Sequence, residues 1–366
     1  MNSFEKELLL CVCRLRKPDG ERLETLLQKG AMSAAVLGEL FWNRTAGVAY
    51  HVLRECGLLP YLHREARNAL SHAWEQNVRY NESYFQCLKQ LQTALAPCAG
   101  LFAVLKGGGG YLCAKYPDGC RTSNDADLLT LPESLTALGK ALADAGFRQG
   151  SVQNGVFVPA SREEIVRSRM TRGETVPYLK EVDLPYLRYF EVDVNFSPDF
   201  KNGGTKTVRE LLSRAVSVPF RDIRVPALAG EDFFLHLCAH LYKEATTYPW
   251  ISGKRDMTLY KYVDLYLMLF DMTEEEAVRI PERARALNLE TECAFAVSET
   301  KALFGDETGT GVKILEGLID VCANSLLTVI SPEEKKKYRY TEPDTAARFF
   351  ATDRTALLEE VGVWRP

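Results

Sequence analysis

Two aspartates, Asp125 and Asp127, are separated by a single residue in a stretch that reads as a β-strand. Side chains alternate across a strand, so both carboxylates are expected to project from one face. Two carboxylates on one face repel each other unless a cation lies between them. Oxygen ligands held in this way suit Mg²⁺ that carries the phosphates of a substrate. The pair therefore predicts a divalent-metal site and phosphate chemistry.

A further carboxylate comes from residues 186–196, YLRYFEVDVNF. Their apolar side chains alternate with Glu191, Asp193 and Asn195, which predicts a strand with one apolar face and one polar face. Placed beside the first strand, this segment brings Asp193 to the aspartate pair, with Glu191 as the reserve candidate. A polar face turned to water is the alternative and, taken alone, is the commoner arrangement.

A run of glycines precedes the aspartates. Residues 101–105 are apolar and predict a short buried strand, and residues 107–110 are all glycine. Glycine lets a ligand approach the backbone and lets the chain turn with positive φ. A short helix expected over 111–116 would point its backbone N–H groups at a phosphate. Lys106 can add positive charge there, and Ser123, two residues before Asp125, is expected to face the same way.

The order and spacing of these pieces resemble the nucleotidyltransferases of the DNA polymerase β-like superfamily, and most of all a bacterial family of uncharacterised nucleotidyltransferases. The shared features are Lys-Gly before the helix, Tyr-Pro after it, and Arg-x-x-x-Asp-x-Asp-Leu-Leu at the strand. In this chain they are Lys106-Gly107, Tyr116-Pro117, and Arg121, Asp125, Asp127, Leu128 and Leu129. The resemblance extends over about residues 30–290, and its motifs lie within 106–196.

The resemblance implies an α/β (α+β) fold with a small, twisted mixed sheet of the nucleotidyltransferase type, flanked by helical regions. It implies that Asp125, Asp127 and Asp193 are the catalytic and metal-binding carboxylates, and that Asp193 activates the acceptor or completes a second metal site. The residues implied in nucleotide binding are Lys106, Gly107, Gly108 and Ser123. The chain departs from the pattern at Gly108, where many members of the superfamily carry serine.

The leading hypothesis is an enzyme that moves a nucleoside monophosphate from an NTP, its co-substrate, to a hydroxyl acceptor with Mg²⁺ or Mn²⁺. A small molecule or a protein is favoured over RNA as the acceptor, because the net charge of −4 does not suit a general grip on nucleic-acid backbone. The alternative is a non-catalytic nucleotide-binding or regulatory subunit on the same fold. A phosphotransferase ranks third, since the chain has no GxxxxGK[ST] loop.

The composition, 46% hydrophobic and 26% charged, is that of a soluble globular protein. No apolar run reaches membrane-spanning length, and Glu5 and Lys6 fall where an export signal would build its apolar core. We therefore expect a cytoplasmic protein with no membrane association. Its ten cysteines lie among apolar residues and form no CxxC pair, which favours reduced, buried thiols over disulfides or a zinc site.

Three regions are expected along the chain. Residues 1–96 read as a helical cap with no chemistry of its own, 97–225 as the nucleotidyltransferase core, and 226–366 as a C-terminal helical region. Within the last region, the charged run 333–340 is expected to be a solvated connection and 348–361 a terminal helix.

Two groups of residues allow two interpretations each. The arginines at 162–172 belong either to an exposed charged loop, which we favour, or to a lid over the triphosphate or the acceptor; they are Arg162, Arg167, Arg169 and Arg172. His240 and Asp264 are expected to join two helices through a hydrogen bond. In the other interpretation, Lys243 or Lys261 reaches the nucleotide phosphates.

Overall fold

The structure, a computed structural model, describes residues 1–106, 115–198, 203–305, 308–316 and 326–365. The chain divides into two compact units. The central unit is His72–His236, and the two-segment unit combines Met1–Ser71 with Leu237–Pro366. Among the described residues, no helix has both the length and the apolar character needed to span a membrane.

Among the described residues, the elements up to residue 94 and those over 230–315 are helical, and strands are interspersed with helices over 102–227 and 328–363. The described α-helices are, in order, Ser3–Cys11 (α1), Gly20–Gln28 (α2), Ala34–Trp42 (α3), Ala46–Glu55 (α4), Arg64–Ala94 (α5), Leu135–Asp144 (α6), Arg162–Thr171 (α7), Thr205–Ser213 (α8), Gly230–Ala245 (α9), Tyr248–Ser252 (α10), Leu259–Asp271 (α11), Glu274–Leu287 (α12), Glu290–Phe304 (α13), Thr310–Leu315 (α14) and Thr345–Phe349 (α15). The described strands are Phe102–Val104 (β1), Asp125–Thr130 (β2), Arg148–Gln153 (β3), Val156–Pro159 (β4), Tyr178–Leu184 (β5), Leu187–Asn195 (β6), Val216–Phe220 (β7), Ile223–Ala227 (β8), Thr328–Ser331 (β9), Lys336–Tyr340 (β10) and Leu358–Val363 (β11).

The central unit is built on a mixed sheet whose described strands follow the order β4-β3-β5-β6-β2-β1-β8-β7. Two neighbouring pairs are parallel, β2 with β6 and β1 with β8. The remaining neighbours are antiparallel. The mixed α/β class that we expected is therefore confirmed, but the sheet is not small as we expected: it has eight described strands, because the β3–β4 hairpin with β5 extends it at one edge and the β7–β8 hairpin at the other.

Helix α5 packs on this sheet through the apolar stripe that the sequence predicted. Tyr84, Leu88 and Leu91 recur at helical spacing and are buried. They share one core with Leu128 of β2 and Val192 of β6. Each fully buried leucine contributes about 1.5–3 kcal/mol through the apolar surface that it removes from water. This packing places one long helix against the strands that carry the predicted aspartates.

The two-segment unit contains a second, three-stranded sheet. Its order is β11-β10-β9, and both neighbouring pairs are antiparallel. A buried ion pair joins Arg348, beside this sheet in the chain, to Glu299 of α13. A second ion pair joins Arg354 to Asp256, whose side chain is fully buried. Both of these buried carboxylates therefore have a cationic partner, as burial of a charge requires.

Two expectations for the C-terminal segment are wrong. Residues 348–361 do not form a terminal helix: α15 ends at Phe349 and β11 begins at Leu358, where β-branched residues and Gly362 disfavour helix. The charged run 333–340 is not only a connection, because most of it forms β10, with Tyr340 buried at its end. The division into regions 1–96, 97–225 and 226–366 stays a prediction.

Candidate functional site

Asp127 and Asp193 lie side by side on two parallel strands. In the ladder between β2 and β6, Asp125 is the register partner of Glu191, and Asp127 is the register partner of Asp193. Neighbouring strands are about 4.8 Å apart, and register partners project from the same face of the sheet. The structure thus brings the predicted aspartates and the reserve candidate Glu191 to one patch, which we call the carboxylate patch.

The other face of the same two strands is apolar. The residues that alternate with the acidic ones, Ala126, Leu128, Val192 and Val194, are all buried in the core of the central unit. A slip of one residue in either strand would turn carboxylates into that core and apolar side chains out of it. The apolar alternation therefore fixes the register that aligns the carboxylates.

The crowding of acidic groups perturbs Asp193. Burial raises the pKa of its carboxyl to about 8, together with the negative charges of Asp127, Glu191, Asp125 and Glu174. The pKa of Glu191 is raised as well, first by burial and then by Asp125. Desolvation and like charges both disfavour the ionised carboxylate. The patch therefore concentrates more negative charge than its surroundings stabilise, and a cation would lower its free energy.

The chemistry of these donors fits a hard divalent cation, because Mg²⁺ and Mn²⁺ prefer carboxylate oxygens. In the part of the chain that the structure describes, no three or more His, Cys, Asp or Glu side chains are already gathered to hold a metal ion. Like-charged carboxylates repel at short range, which opposes such gathering by the side chains alone. The assignment of Asp125, Asp127 and Asp193 as metal ligands stays a prediction.

The residues predicted to bind the nucleotide phosphates lie close to β2 in the chain or in the sheet. The backbone N–H of Leu105 donates a hydrogen bond of 3.0 Å to the carbonyl of Asp127. Lys106 is the next residue, so it leaves the sheet beside the strand that carries the aspartates. Ser123 is buried, with 7% of its surface exposed, just before β2 begins. Gly107 and Gly108 lie outside the described residues, and the phosphate-binding turn stays a prediction.

Helix α5 holds the segment 118–125 that leads into β2. Five side chains of the helix donate hydrogen bonds to its main-chain carbonyls: Trp74 to Asp118 (2.8 Å), Asn77 to Gly119 (2.9 Å), Tyr80 to Ser123 (2.7 Å), Asn81 to Arg121 (3.0 Å) and Tyr84 to Asp125 (2.7 Å). A hydrogen bond of this kind contributes about 1 kcal/mol, and a buried carbonyl left without one costs more. The helix thereby positions the first aspartate of the site.

Sequence reasoning missed this contact, although a signal for it was present. Trp74, Asn77, Asn81 and Tyr84 recur at intervals of three and four residues, which places polar tips on one face of a helix. We assigned no chemistry to residues 1–96, and that assignment stays a prediction; what it left out is this structural contact. The helix has a positioning role at the carboxylate patch.

A pocket of about 300 Å³ lies next to the carboxylate patch. Its walls come from the β3–β4 hairpin, from helix α7 and its C-terminal end, and from β5, and Glu191 of β6 lines it as well. Two of the four arginines with alternative interpretations, Arg167 and Arg172, are among the lining residues. These two arginines therefore belong to a concave surface that shares Glu191 with the carboxylate patch.

Glu174 is an acidic neighbour that the sequence did not reveal. Its charge adds to the causes that raise the pKa of Asp193, and its backbone bridges Asn195 at the end of β6. Gly173 precedes it with φ +72°, and a Cβ there would lie 2.6 Å from the Cβ of Ser197. Glycine thus lets the loop close onto the end of β6. In sequence, this loop shows only an Arg-Gly-Glu run, which is a weak signal.

The contacts near helix α9, which carries His240, differ from those of the second interpretation, in which a lysine reaches the nucleotide phosphates. Lys261 is 8% exposed and forms an ion pair with Glu244, so its charge is already neutralised within the fold. The Nε2 atom of His240 lies 3.4 Å from Oε1 of the same glutamate. Asp264 is buried. The hydrogen bond from His240 to Asp264 stays a prediction.

A mixed sheet with acidic residues on two parallel neighbouring strands is what we expected of a nucleotidyltransferase-like protein. The model of the family described as "Uncharacterised nucleotidyltransferase" matches residues 34–305, which is most of the chain, so the chain belongs to this family and the predicted resemblance is confirmed. A comparison with curated proteins gives no match.

One solved structure that resembles this chain is an antigenic nucleotidyltransferase-like protein from Paracoccidioides brasiliensis. The identity is 13% and the TM-score is 0.29, over 56% of this chain and 92% of that chain. At that TM-score the likeness carries no argument about fold or function.

Proposed function

We propose that this protein is a divalent-metal-dependent nucleotidyltransferase that transfers a nucleoside monophosphate from an NTP to a hydroxyl group on a small molecule or a protein. The observation that carries the proposal is the register of Asp127 with Asp193, on strands whose opposite faces lie in the core. Membership of the nucleotidyltransferase family supports the reaction class. The net charge of −4 favours these acceptors over RNA, which is bound through basic surfaces.

In the proposed reaction, the acceptor oxygen forms a bond to the α-phosphorus, and the bond from that phosphorus to the oxygen of the leaving pyrophosphate breaks. Asp193 accepts the proton of the acceptor hydroxyl. Asp125, Asp127 and Asp193 would hold Mg²⁺ or Mn²⁺, which would neutralise charge on the phosphoryl oxygens. The proposed ligands of the NTP phosphates are Lys106, Gly107, Gly108 and Ser123.

The proposal further places the reaction in the cytoplasm, without broad binding to nucleic acid or to a membrane. It rests on the composition, because a net charge of −4 does not suit a general grip on nucleic-acid backbone.

Calorimetry of each NTP, with and without Mg²⁺, tests the nucleotide part of the proposal. Wild type is expected to bind one or more NTPs only when the metal ion is present. Asp127→Asn is expected to lose this metal-dependent binding. Asp183→Asn is the matched control, because Asp183 is an exposed aspartate on β5 of the same sheet. If neither the metal ion nor Asp127→Asn changes the affinity for NTP, the proposed site is wrong.

Incubation with α-³²P-labelled NTPs tests the transfer itself. The protein is mixed in parallel with a small-molecule extract, with cell protein and with cell RNA, and label in one fraction names the class of acceptor. Transfer from γ-labelled instead of α-labelled NTP would replace nucleotidyl transfer by kinase chemistry. If Mg²⁺-dependent NTP binding is seen and no fraction takes up label, the result favours a non-catalytic nucleotide-binding subunit.

A further inference from the structure

The pocket next to the carboxylate patch has walls of two kinds. On one side, β3, β4 and β5 supply largely apolar or uncharged groups, such as Val158 and Leu179. On the other side, Arg167 of α7 and Arg172 at the end of the helix supply positive charge. Glu191 completes the lining and is also the register partner of Asp125. The pocket and the carboxylate patch are therefore continuous through this residue.

The positive side of the pocket has charge available for a ligand. Arg167 is exposed and, within the described ranges, its guanidinium forms no ion pair. Arg172 makes only a long contact, 3.8 Å from its Nη1 to Oε1 of Glu174. Glu164, which also lines the pocket, accepts a hydrogen bond of 2.7 Å from the backbone N–H of Ser161 in a capping box. Glu164 is thus engaged with the start of its own helix.

We propose that this pocket is the acceptor subsite of the enzyme and that it takes a small hydroxyl compound bearing a phosphate or carboxylate group. The inference rests on the proposed function. Arg167 and Arg172 bind the anionic group, since a guanidinium matches the geometry of both anions. The apolar wall covers the carbon skeleton, and the hydroxyl end lies towards Glu191 and its neighbour Asp193.

The size of the pocket suits a small acceptor. Its volume of about 300 Å³ meets the lower limit of the volumes that hold small-molecule ligands. That room suits a compound of a few carbons with one anionic group.

Ligand binding to three proteins tests this inference: wild type, Arg167→Gln, and Arg162→Gln as the matched control on the same helix. The probes are glycerol 3-phosphate and glycerate, which distinguish phosphate from carboxylate, with glycerol as the neutral counterpart and ATP with Mg²⁺ as the nucleotide. Saturation-transfer NMR and calorimetry measure the affinities. An anionic probe is expected to bind wild type and Arg162→Gln more tightly than glycerol does, and to bind Arg167→Gln about ten- to a hundredfold more weakly.

The affinity for ATP is expected to stay within about twofold in both variants, since neither arginine is assigned to the nucleotide. A loss of ATP affinity confined to Arg167→Gln would overturn the inference and assign the pocket to the triphosphate. Equal binding of the anionic probes to wild type and Arg167→Gln, or no binding of either probe, would overturn it as well. If wild type binds an anionic probe through Arg167 and binds no NTP, the ligand class of the pocket stands and the proposed nucleotidyl transfer fails.

Discussion

Asp127 of β2 and Asp193 of β6 are register partners in a parallel pair of strands, and their carboxylates face the same side of the sheet. Asp127 belongs to the Asp-x-Asp motif, which can be recognised from neighbouring residues. Asp193 belongs to a strand of alternating apolar and polar residues that contains no such motif. Because the negative charge of Asp127 helps to raise the pKa of Asp193, a change at Asp127 alters the protonation of Asp193.

The first prediction concerns catalysis. Asp193→Asn is expected to lower the rate of nucleotide transfer about 10²–10⁴-fold, because the acceptor proton then has no carboxylate to receive it. NTP affinity is expected to change less in this variant than in Asp127→Asn. Single-turnover rates with α-labelled NTP, beside calorimetry, measure the two effects separately.

Asp183→Asn serves as the control for this prediction, since it removes an exposed carboxylate from β5. If Asp193→Asn transfers nucleotide at the wild-type rate while Glu191→Gln does not, the proton acceptor is the reserve candidate Glu191.

The second prediction concerns pH and stability without divalent metal. The pKa of Asp193 is raised from 3.8 to about 8 in the folded protein, so folding favours the protonated carboxyl. The associated stability is fully present below the unfolded pKa and is lost as pH rises from about 4 through 8. Asp193→Asn avoids that loss, and its free energy of unfolding is expected to exceed that of wild type by up to ~5 kcal/mol at pH 8.5, at ~1.4 kcal/mol per unit of pKa, with the difference shrinking towards pH 4.

Urea unfolding in EDTA at several pH values measures this difference. Added Mg²⁺ is expected to stabilise wild type at pH 8.5 more than it stabilises Asp193→Asn, because the ion relieves the repulsion between carboxylates and the variant has one carboxylate fewer. Parallel pH profiles for wild type and the variant would show that Asp193 titrates normally. Asp183→Asn, again the control, is expected to follow the wild-type profile.

The third prediction tests the hydrogen bonds from helix α5. Tyr84→Phe removes the hydroxyl that donates to the Asp125 carbonyl and keeps the ring, which packs edge-on against Phe190. It is expected to lower the free energy of unfolding by about 1–2 kcal/mol and to slow nucleotide transfer. Tyr189→Phe is the control, because its hydroxyl makes only an exposed contact of 3.5 Å with Glu181. Equal stability and activity in the two variants would remove the positioning role of the helix.

The fourth prediction concerns Gly119. Its φ is +76°, and a Cβ would lie 2.6 Å from the indole of Trp74 and 2.9 Å from that residue's carbonyl oxygen. Gly119→Ala is therefore expected to cost about 2 kcal/mol or more. Gly38→Ala, at an exposed position inside α3 with nothing within 4 Å, is expected to stabilise by up to about 1 kcal/mol. Thermal unfolding compares the two, and a neutral Gly119→Ala would mean that the segment can move away from the helix.

Local periodicity made the acidic residues accessible to sequence reasoning. Strand alternation placed Asp125 and Asp127 on one face and Asp193 on the polar face of its own strand, and the structure has both arrangements. The pairing of those strands is a long-range property that alternation cannot specify. It came from the resemblance to a known family, whose order of motifs implies which strands are neighbours.

The features that sequence reasoning missed depend on contacts between distant segments. Trp74 and Tyr84 donate to carbonyls some forty positions further along the chain, and nothing in a helical pattern names its partner. Glu174 reaches the carboxylate patch through a loop closed by Gly173. We did not predict the strand Lys336–Tyr340 because the segment is highly charged: exposed Lys337 and Arg339 alternate with Tyr338 and Tyr340, which lie on the more buried side.

The five hydrogen bonds from helix α5 to the segment 118–125 end on main-chain carbonyls. These contacts therefore do not depend on which side chains residues 120–124 carry, whereas they do depend on the donors of the helix and on Gly119, where a Cβ would collide with Trp74. A substitution within 120–124 can change the side chain that the segment presents while these hydrogen bonds to the backbone remain. Recognition of the backbone thus separates the positioning of Asp125 from the identity of the residues that lead into its strand.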